Sequence, residues 1–262
     1  MTAGLVLREM GQGADRALLL HCGQGVSGMW KGVARLLADR LTMVAPDLPG
    51  HGRSAPFAPG RDVHDQACDA IRPLLRDGIH VVGHSFGATV ALRLALEAPE
   101  RIATLTVVEP VLFAAARGSA SFATHQAAEE AFYAPTRSGD LATAAREMNR
   151  IWGGGVKWDS LRSEAQALLA RQMPFVAATE PALWHDCHGL MAAGRLEQLA
   201  CPVALIRGSE TVPVIADIHR GLMARLPCAT DHVVAGAGHM LTVTHPEDVA
   251  RVVAAQLDLA TA

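Results

Sequence analysis

A chain of 262 residues, half of them apolar and 19% charged, has the composition of an ordered globular protein and excludes a disordered or fibrous one. Its net charge of −3, with histidine neutral, gives no electrostatic reason to expect nucleic acid or an anionic membrane as partner. The cysteines Cys22, Cys68, Cys187, Cys201 and Cys228 are scattered, odd in number and without CxxC spacing, so buried free thiols are expected rather than a disulfide framework or a metal site.

At the N-terminus, Arg8 and Glu9 fall where a signal peptide needs its apolar stretch, and no apolar run reaches membrane-spanning length, so a soluble, cytoplasmic protein is expected. Short apolar runs alternate with longer helical patterns, the signature of parallel strands joined by crossover helices with both sheet faces covered. Residues 5–7 and 17–20 read as strands joined by the turn Gly11-Gln12-Gly13, which predicts an antiparallel hairpin at the start. Parallel strands follow at 41–45, 79–82, 104–108, 203–206 and 232–234, each too short for a helix and suited to a buried strand.

The strand at 79–82 runs into Gly83-His84-Ser85-Phe86-Gly87, and residues 88–97 then read as a helix. This is the G-x-S-x-G nucleophile elbow in its strand-turn-helix setting, with the glycines needed because side chains at 83 and 87 would collide with neighbouring backbone. Ser85 is the expected nucleophile, and the dipole of the following helix favours an oxyanion beside it. A serine hydroxyl needs a base. Of the twelve histidines, His239 has the right position, in the loop Gly236-Ala237-Gly238-His239 after the last predicted strand, where an open α/β sheet gathers its chemistry.

Between about 111 and 195 the strand pattern disappears and residues 127–132, 141–151 and 163–173 read as helices. Eight of the eleven aromatic residues lie in this block, so it has apolar surface to bury or to offer a ligand. It is read as a lid inserted into a core formed by 1–110 and 196–262, with Gly153-Gly154-Gly155 as a hinge or a surface turn. Trp152, Trp184 and Phe113 are its candidate substrate contacts; His125, His185 and His188 are read as surface histidines without a metal-binding pattern.

With these motifs in place the chain resembles the α/β-hydrolases, specifically the lid-bearing kind with a serine nucleophile. The resemblance covers nearly the whole length: Leu18-Leu19-Leu20-His21, the run from Ala45-Pro46-Asp47 through Gly50-His51-Gly52-Arg53-Ser54, the elbow, and Gly236 to His239. It implies an α/β fold with a doubly wound, mostly parallel sheet and an antiparallel start, the order nucleophile, acid, histidine, and no cofactor. It also implies an acid three residues after Gly208, where this chain has Thr211, which cannot serve. Glu109, at the end of the strand beside the nucleophile strand, and Glu210 are the available substitutes, and Glu109 is favoured because a carboxylate there is costly to bury without a partner. By the same resemblance the oxyanion donors are the N–H groups of Phe86 and Gly23, with Gln24 as second choice and Cys22 standing where relatives carry glycine.

The function expected is hydrolysis of an ester-like bond, a carboxylic ester or lactone, of a small to medium apolar substrate through an acyl-enzyme. Perhydrolysis stays open within that class, as does a homodimer. Haloalkane dehalogenase and epoxide hydrolase chemistry are disfavoured because those relatives need Asp where Ser85 stands. A hydrolase-fold receptor without turnover is the main alternative. The remote one is an NAD(P)-dependent oxidoreductase, suggested by Gly23-x-Gly25-x-x-Gly28 with Asp47 beyond it. Against it stand the Leu48-to-Ser54 loop and the sole tyrosine, Tyr133, which is followed four residues later by Arg137 instead of lysine.

Overall fold

The computed structural model describes residues 4–260. In chain order the elements are β1 (Leu7–Met10), β2 (Asp15–Leu20), α1 (Lys31–Leu36), β3 (Leu41–Pro46), α2 (Val63–Ile71), β4 (Ile79–His84), α3 (Phe86–Glu97) and β5 (Ile102–Val108). Then come α4 (Ala120–Ser138), α5 (Leu141–Trp152), α6 (Ser163–Ala178), α7 (Glu180–Leu183), β6 (Val203–Gly208), α8 (Pro213–Met223), β7 (Ala229–Val234), α9 (Leu241–Thr244) and α10 (Pro246–Ala260). The strands form one sheet in the order β1-β3-β2-β4-β5-β6-β7, parallel throughout except for β1.

Side chains alternate across a strand, and along the central strands β4, β5 and β6 both faces are buried, which is why these read as largely apolar runs. In β2, Leu18 and Leu20 join the core cluster on the α2, α3 and α8 side, while Ala17 and Leu19 join the one beneath α1 and α10. In β6, Val203 and Leu205 face the first cluster and Ala204 and Ile206 the second.

The start of the chain differs from the expected hairpin. The strand falls at Leu7–Met10 instead of 5–7, and it pairs antiparallel with β3, Leu7 opposite Pro46 and Met10 opposite Met43. The glycines that suggested a hairpin turn serve a crossing instead: a Cβ on Gly11 would meet the Leu41 carbonyl at 2.1 Å and one on Gly13 the Arg40 carbonyl carbon at 1.8 Å. The chain thus passes over the start of β3 to reach its far side, where β2 pairs parallel with β3.

Helices α4 to α7 form one block inserted between β5 and β6. Ser119 caps α4 by accepting the Phe122 N–H, Gly139 ends it in the left-handed conformation at φ 86, and Asp140 caps α5 through the Thr143 N–H. Helix α5 packs against α4 and α6, and α4 also leans on α8 of the core. Gly153, Gly154 and Gly155 make a turn tied by the Asn149 side chain, which donates to the Val156 carbonyl at 2.8 Å. No described helix is long and apolar enough to cross a membrane.

Candidate active site

Between β4 and α3 the backbone reverses within one residue, and Ser85 takes up φ 55, ψ −117. A Cβ on Gly83 would lie 2.3 Å from the Gly87 carbonyl oxygen, and one on Gly87 2.4 Å from the carbonyls of Leu20 and His21. Only glycine fits at either position, which ties the elbow against the end of β2. Four described non-glycine residues have positive φ, and three of them, Gln24, Ser85 and Glu109, meet around this elbow. Such conformations cost about 1–3 kcal/mol each and persist where a site requires them.

His239 reaches Ser85 from the loop between β7 and α9, its Nε2 standing 3.0 Å from Ser85 Oγ. That loop lies close to β6 because Gly208 has no side chain; a Cβ there would meet the Ala237 carbonyl at 2.0 Å. The other ring nitrogen, Nδ1, donates to Glu109 Oε2 at 3.0 Å. Glu109 follows β5 directly, is wholly buried, and also accepts the Gly208 N–H at 2.7 Å and the Thr211 hydroxyl at 2.5 Å. Three donors offset the cost of a buried carboxylate. Glu210, the alternative acid, is exposed, and only its backbone is tied in, through its N–H to the Ala237 carbonyl. Thr211, at the position where the resemblance implies an acid, instead donates to the Glu109 carboxylate just beyond β5.

His84, within the elbow motif, has a part that the sequence did not disclose. Its Nε2 donates to the His239 backbone carbonyl at 2.8 Å while Nδ1 accepts from Thr242 Oγ1 at 3.4 Å. Burial, then the neighbouring His239, keeps its pKa well below the usual imidazole value, so it is a neutral brace for the His239 loop.

The expected oxyanion donors come from two places, Gly23 in the loop after β2 and Phe86 at the start of α3. Phe86 is the first residue of α3, so its N–H has no acceptor within the helix, and the Gly23 N–H has no acceptor among the described residues. Both residues line the cavity beside Ser85. Gln24 is removed as a donor, since its N–H is taken by His51 Nε2 at 3.0 Å. Its side chain ties this loop to the insertion through the Leu169 carbonyl at 3.0 Å. Cys22 is buried, and desolvation pushes its thiol up to about 12, which makes it inert. Asp47 accepts the N–H groups of Ser27 at 2.8 Å and Arg53 at 3.3 Å. Burial opposes its charge, yet these bonds hold its carboxyl below the usual range. An acid engaged in bracing two loops is not offering itself to a ribose.

Ser85 and His239 open into a cavity of about 660 Å³ walled mostly by apolar side chains, Phe113 and Trp152 among them. Trp152 stands edge-on to the His239 ring with centroids 4.5 Å apart. Trp184 is not on the wall: it is buried behind it, stacked on Phe113 at 4.2 Å. His125, expected at the surface, is buried beside Glu129 with its Nε2 3.2 Å from Oε1. Of the five cysteines, Cys22 and Cys68 are buried, Cys201 is half-buried, and Cys187 and Cys228 are exposed. Among the described residues one trio, Asp62, Cys187 and His188, brings ligand atoms within 4.8 Å of one another. It lies outside this cavity, and its Asp62 carboxylate is already engaged in capping α2 and bonding His188.

Comparison with known proteins agrees with this architecture. Over 245 residues the chain is 28% identical to the pimeloyl-(acyl-carrier protein) methyl ester esterase of Nitrosomonas europaea, covering 94% of this chain and 96% of that protein. It is 42% identical over 106 residues to the dihydrolipoyllysine-residue acetyltransferase component of the acetoin cleaving system of Cupriavidus necator, but spans only 28% of that protein's length. The crystal structure of a putative lipase from Acinetobacter baumannii superposes with a TM-score of 0.78 at 17% identity, over 100% of this chain and 90% of that one, a likeness of fold. A family model described as the alpha/beta hydrolase family matches residues 17–252, nearly the whole described chain, and the protein therefore belongs to the α/β-hydrolase family.

Proposed function

We propose that this protein is a serine hydrolase that cleaves an ester-like bond of a small to medium, largely apolar substrate through an acyl-enzyme. The observation that carries the reading is the 3.0 Å approach of His239 Nε2 to Ser85 Oγ, with Glu109 on the other side of the ring. Ser85 Oγ attacks the substrate carbonyl as its proton passes to Nε2. The carboxylate of Glu109 fixes the tautomer and stabilises the imidazolium. The oxyanion takes the N–H groups of Gly23 and Phe86 at the positive end of α3. Collapse expels the alcohol, which takes the proton from His239, and water repeats the sequence on the acyl group. The cavity's apolar wall favours an apolar substrate, and the esterase named among the relatives supports a carboxylic ester. The helical block 111–195 is read as a lid, since it supplies most of the cavity wall.

A fluorophosphonate probe and a panel of short aryl esters test this. Labelling of the wild type, its loss in Ser85→Ala and turnover of at least one ester are expected. Labelling with no turnover across the panel would leave a ligand-binding member of the family, and no labelling would overturn the nucleophile.

A further inference from the structure

A single carboxylate interrupts the apolar wall. Among the described residues lining the cavity, Glu129 on α4 is the only acidic side chain, and no lysine or arginine accompanies it. It is 2% exposed, so its charge has been withdrawn from bulk water, a cost that proteins tolerate where partners offset it or function demands it. Its partners are unevenly divided. Oε1 receives both His125 Nε2 at 3.2 Å and Trp152 Nε1 at 3.0 Å, whereas Oε2 receives Trp184 Nε1 alone at 3.1 Å. A carboxylate oxygen accepts two hydrogen bonds, so Oε2 keeps one acceptor position on a residue that faces the cavity. One turn further along α4, the Tyr133 side chain shares the same wall. Burial, then the charge of Glu129, pushes its phenol well above the ordinary value, so the hydroxyl stays protonated.

We propose that Glu129, with Tyr133 beside it, is the polar recognition point of the cavity and binds a hydrogen-bond donor, a hydroxyl or an ammonium, carried by the substrate away from its scissile ester. This rests on the hydrolase reading above and narrows it: the substrate is apolar along its length with one donor group. The cation of a plain amine and a neutral hydroxyl share this chemistry, and separate compounds distinguish them. Among the described residues of the wall Glu129 is the one charged acceptor for such a group, so an amphiphilic substrate is oriented with its donor toward α4.

The test uses aryl esters of straight-chain acids over a series of lengths, each as a matched set ending in methyl, hydroxyl or ammonium. The ratio of kcat/KM between two members of a set, measured on one preparation, is independent of the folded fraction. At one chain length the wild type should favour a donor-bearing ester over its methyl analogue by about tenfold, the worth of one good hydrogen bond. Glu129→Gln should bring the ratio close to one, and Tyr133→Phe, which keeps the ring, should lower it partway. A wild-type ratio of one or less at every length, or a ratio that survives Glu129→Gln, overturns the proposal while turnover of the methyl esters leaves the hydrolase reading standing. If no ester is turned over, that reading fails by itself. The same comparison is then made by binding matched alkyl ketones, with and without a terminal hydroxyl, to the wild type and to Glu129→Gln by tryptophan fluorescence. Equal affinities for both ketones would again overturn the proposal.

Discussion

The Thr211 hydroxyl donates to the Glu109 carboxylate at 2.5 Å, joining the loop after β6 to the end of β5 directly behind His239. The position from which the family resemblance implies an acid therefore still serves the imidazole, one hydrogen bond removed.

Glu109→Gln presents an amide where His239 Nδ1–H needs a carboxylate and disfavours the reactive tautomer. Turnover of an aryl ester should fall by about 10³–10⁴ with little change in KM, and Glu210→Gln, at an exposed site, should stay near wild type. Steady-state kinetics on the two variants decide between the carboxylates; the reverse pattern would move the acid to Glu210.

Thr211→Val keeps the shape of the side chain and removes one of the donors on a buried charge. The loss should cost about 1–3 kcal/mol of stability, seen as a lower urea midpoint, and should reduce kcat as well. Thr211→Ser should restore both, and a Val variant as stable and active as wild type would show that the bond is idle.

His21, His51 and His64 are neutral in the folded chain. Their bonds require it: His21 Nε2 accepts from Leu48 N–H at 2.8 Å and His51 Nε2 from Gln24 N–H at 3.0 Å. Burial is the main cause that lowers the three to about 3, about 4 and about 3. In the unfolded chain each titrates near ~6.5, so below that pH the unfolded state binds protons that the folded state refuses. Stability is complete above about pH 6.5 and falls by about 1.4 kcal/mol per histidine per pH unit toward about pH 4. Urea midpoints across this range should drop steadily, before the paired carboxylates titrate; a flat profile would mean that these rings are protonated in the fold.

Native thiol titration should find Cys187 and Cys228 reacting first, since both are exposed, and Cys201 more slowly. Cys22 and Cys68, buried and pushed up to about 12, should react only after denaturation. Cys22→Ala should keep fluorophosphonate labelling of Ser85, and its loss would give Cys22 a chemical part beside the nucleophile.

The sheet was legible because burial of both faces leaves its mark in each central strand separately: Val203 to Ile206 is apolar whichever side each residue meets. The partner of β1 was not, since Gly11 and Gly13 suit a hairpin as well as a crossing, and only the distant Arg40 and Leu41 backbone separates the two. The elbow and the His239 loop carry local signatures. The choice between Glu109 and Glu210 depends on donors from Gly208 and Thr211, a hundred residues away from the first of them in sequence, and no spacing rule reports that. Glu129 did leave a trace, its i,i+4 relation to His125 on one helix. Its burial, however, comes from Trp152 and Trp184, which reach it from elsewhere in the insertion. His84 was hidden in plain view, since a residue inside the elbow motif gives no sign of which loop it will support.

Glu109 is followed at once by Pro110, and the inserted helices begin just beyond. The polypeptide therefore departs for the helices that line the cavity from the very residue bonded to His239 Nδ1. Exchanging these helices between relatives in this chain would have to splice downstream of that proline, and strain in a transplanted segment would be felt first as misalignment of the base. The stretch after β6 keeps obligations at Gly208 and Thr211, which bond Glu109, and at Ser209, whose hydroxyl accepts the Gly236 N–H of the His239 loop at 2.9 Å, which leaves the exposed Glu210 side chain free to diversify.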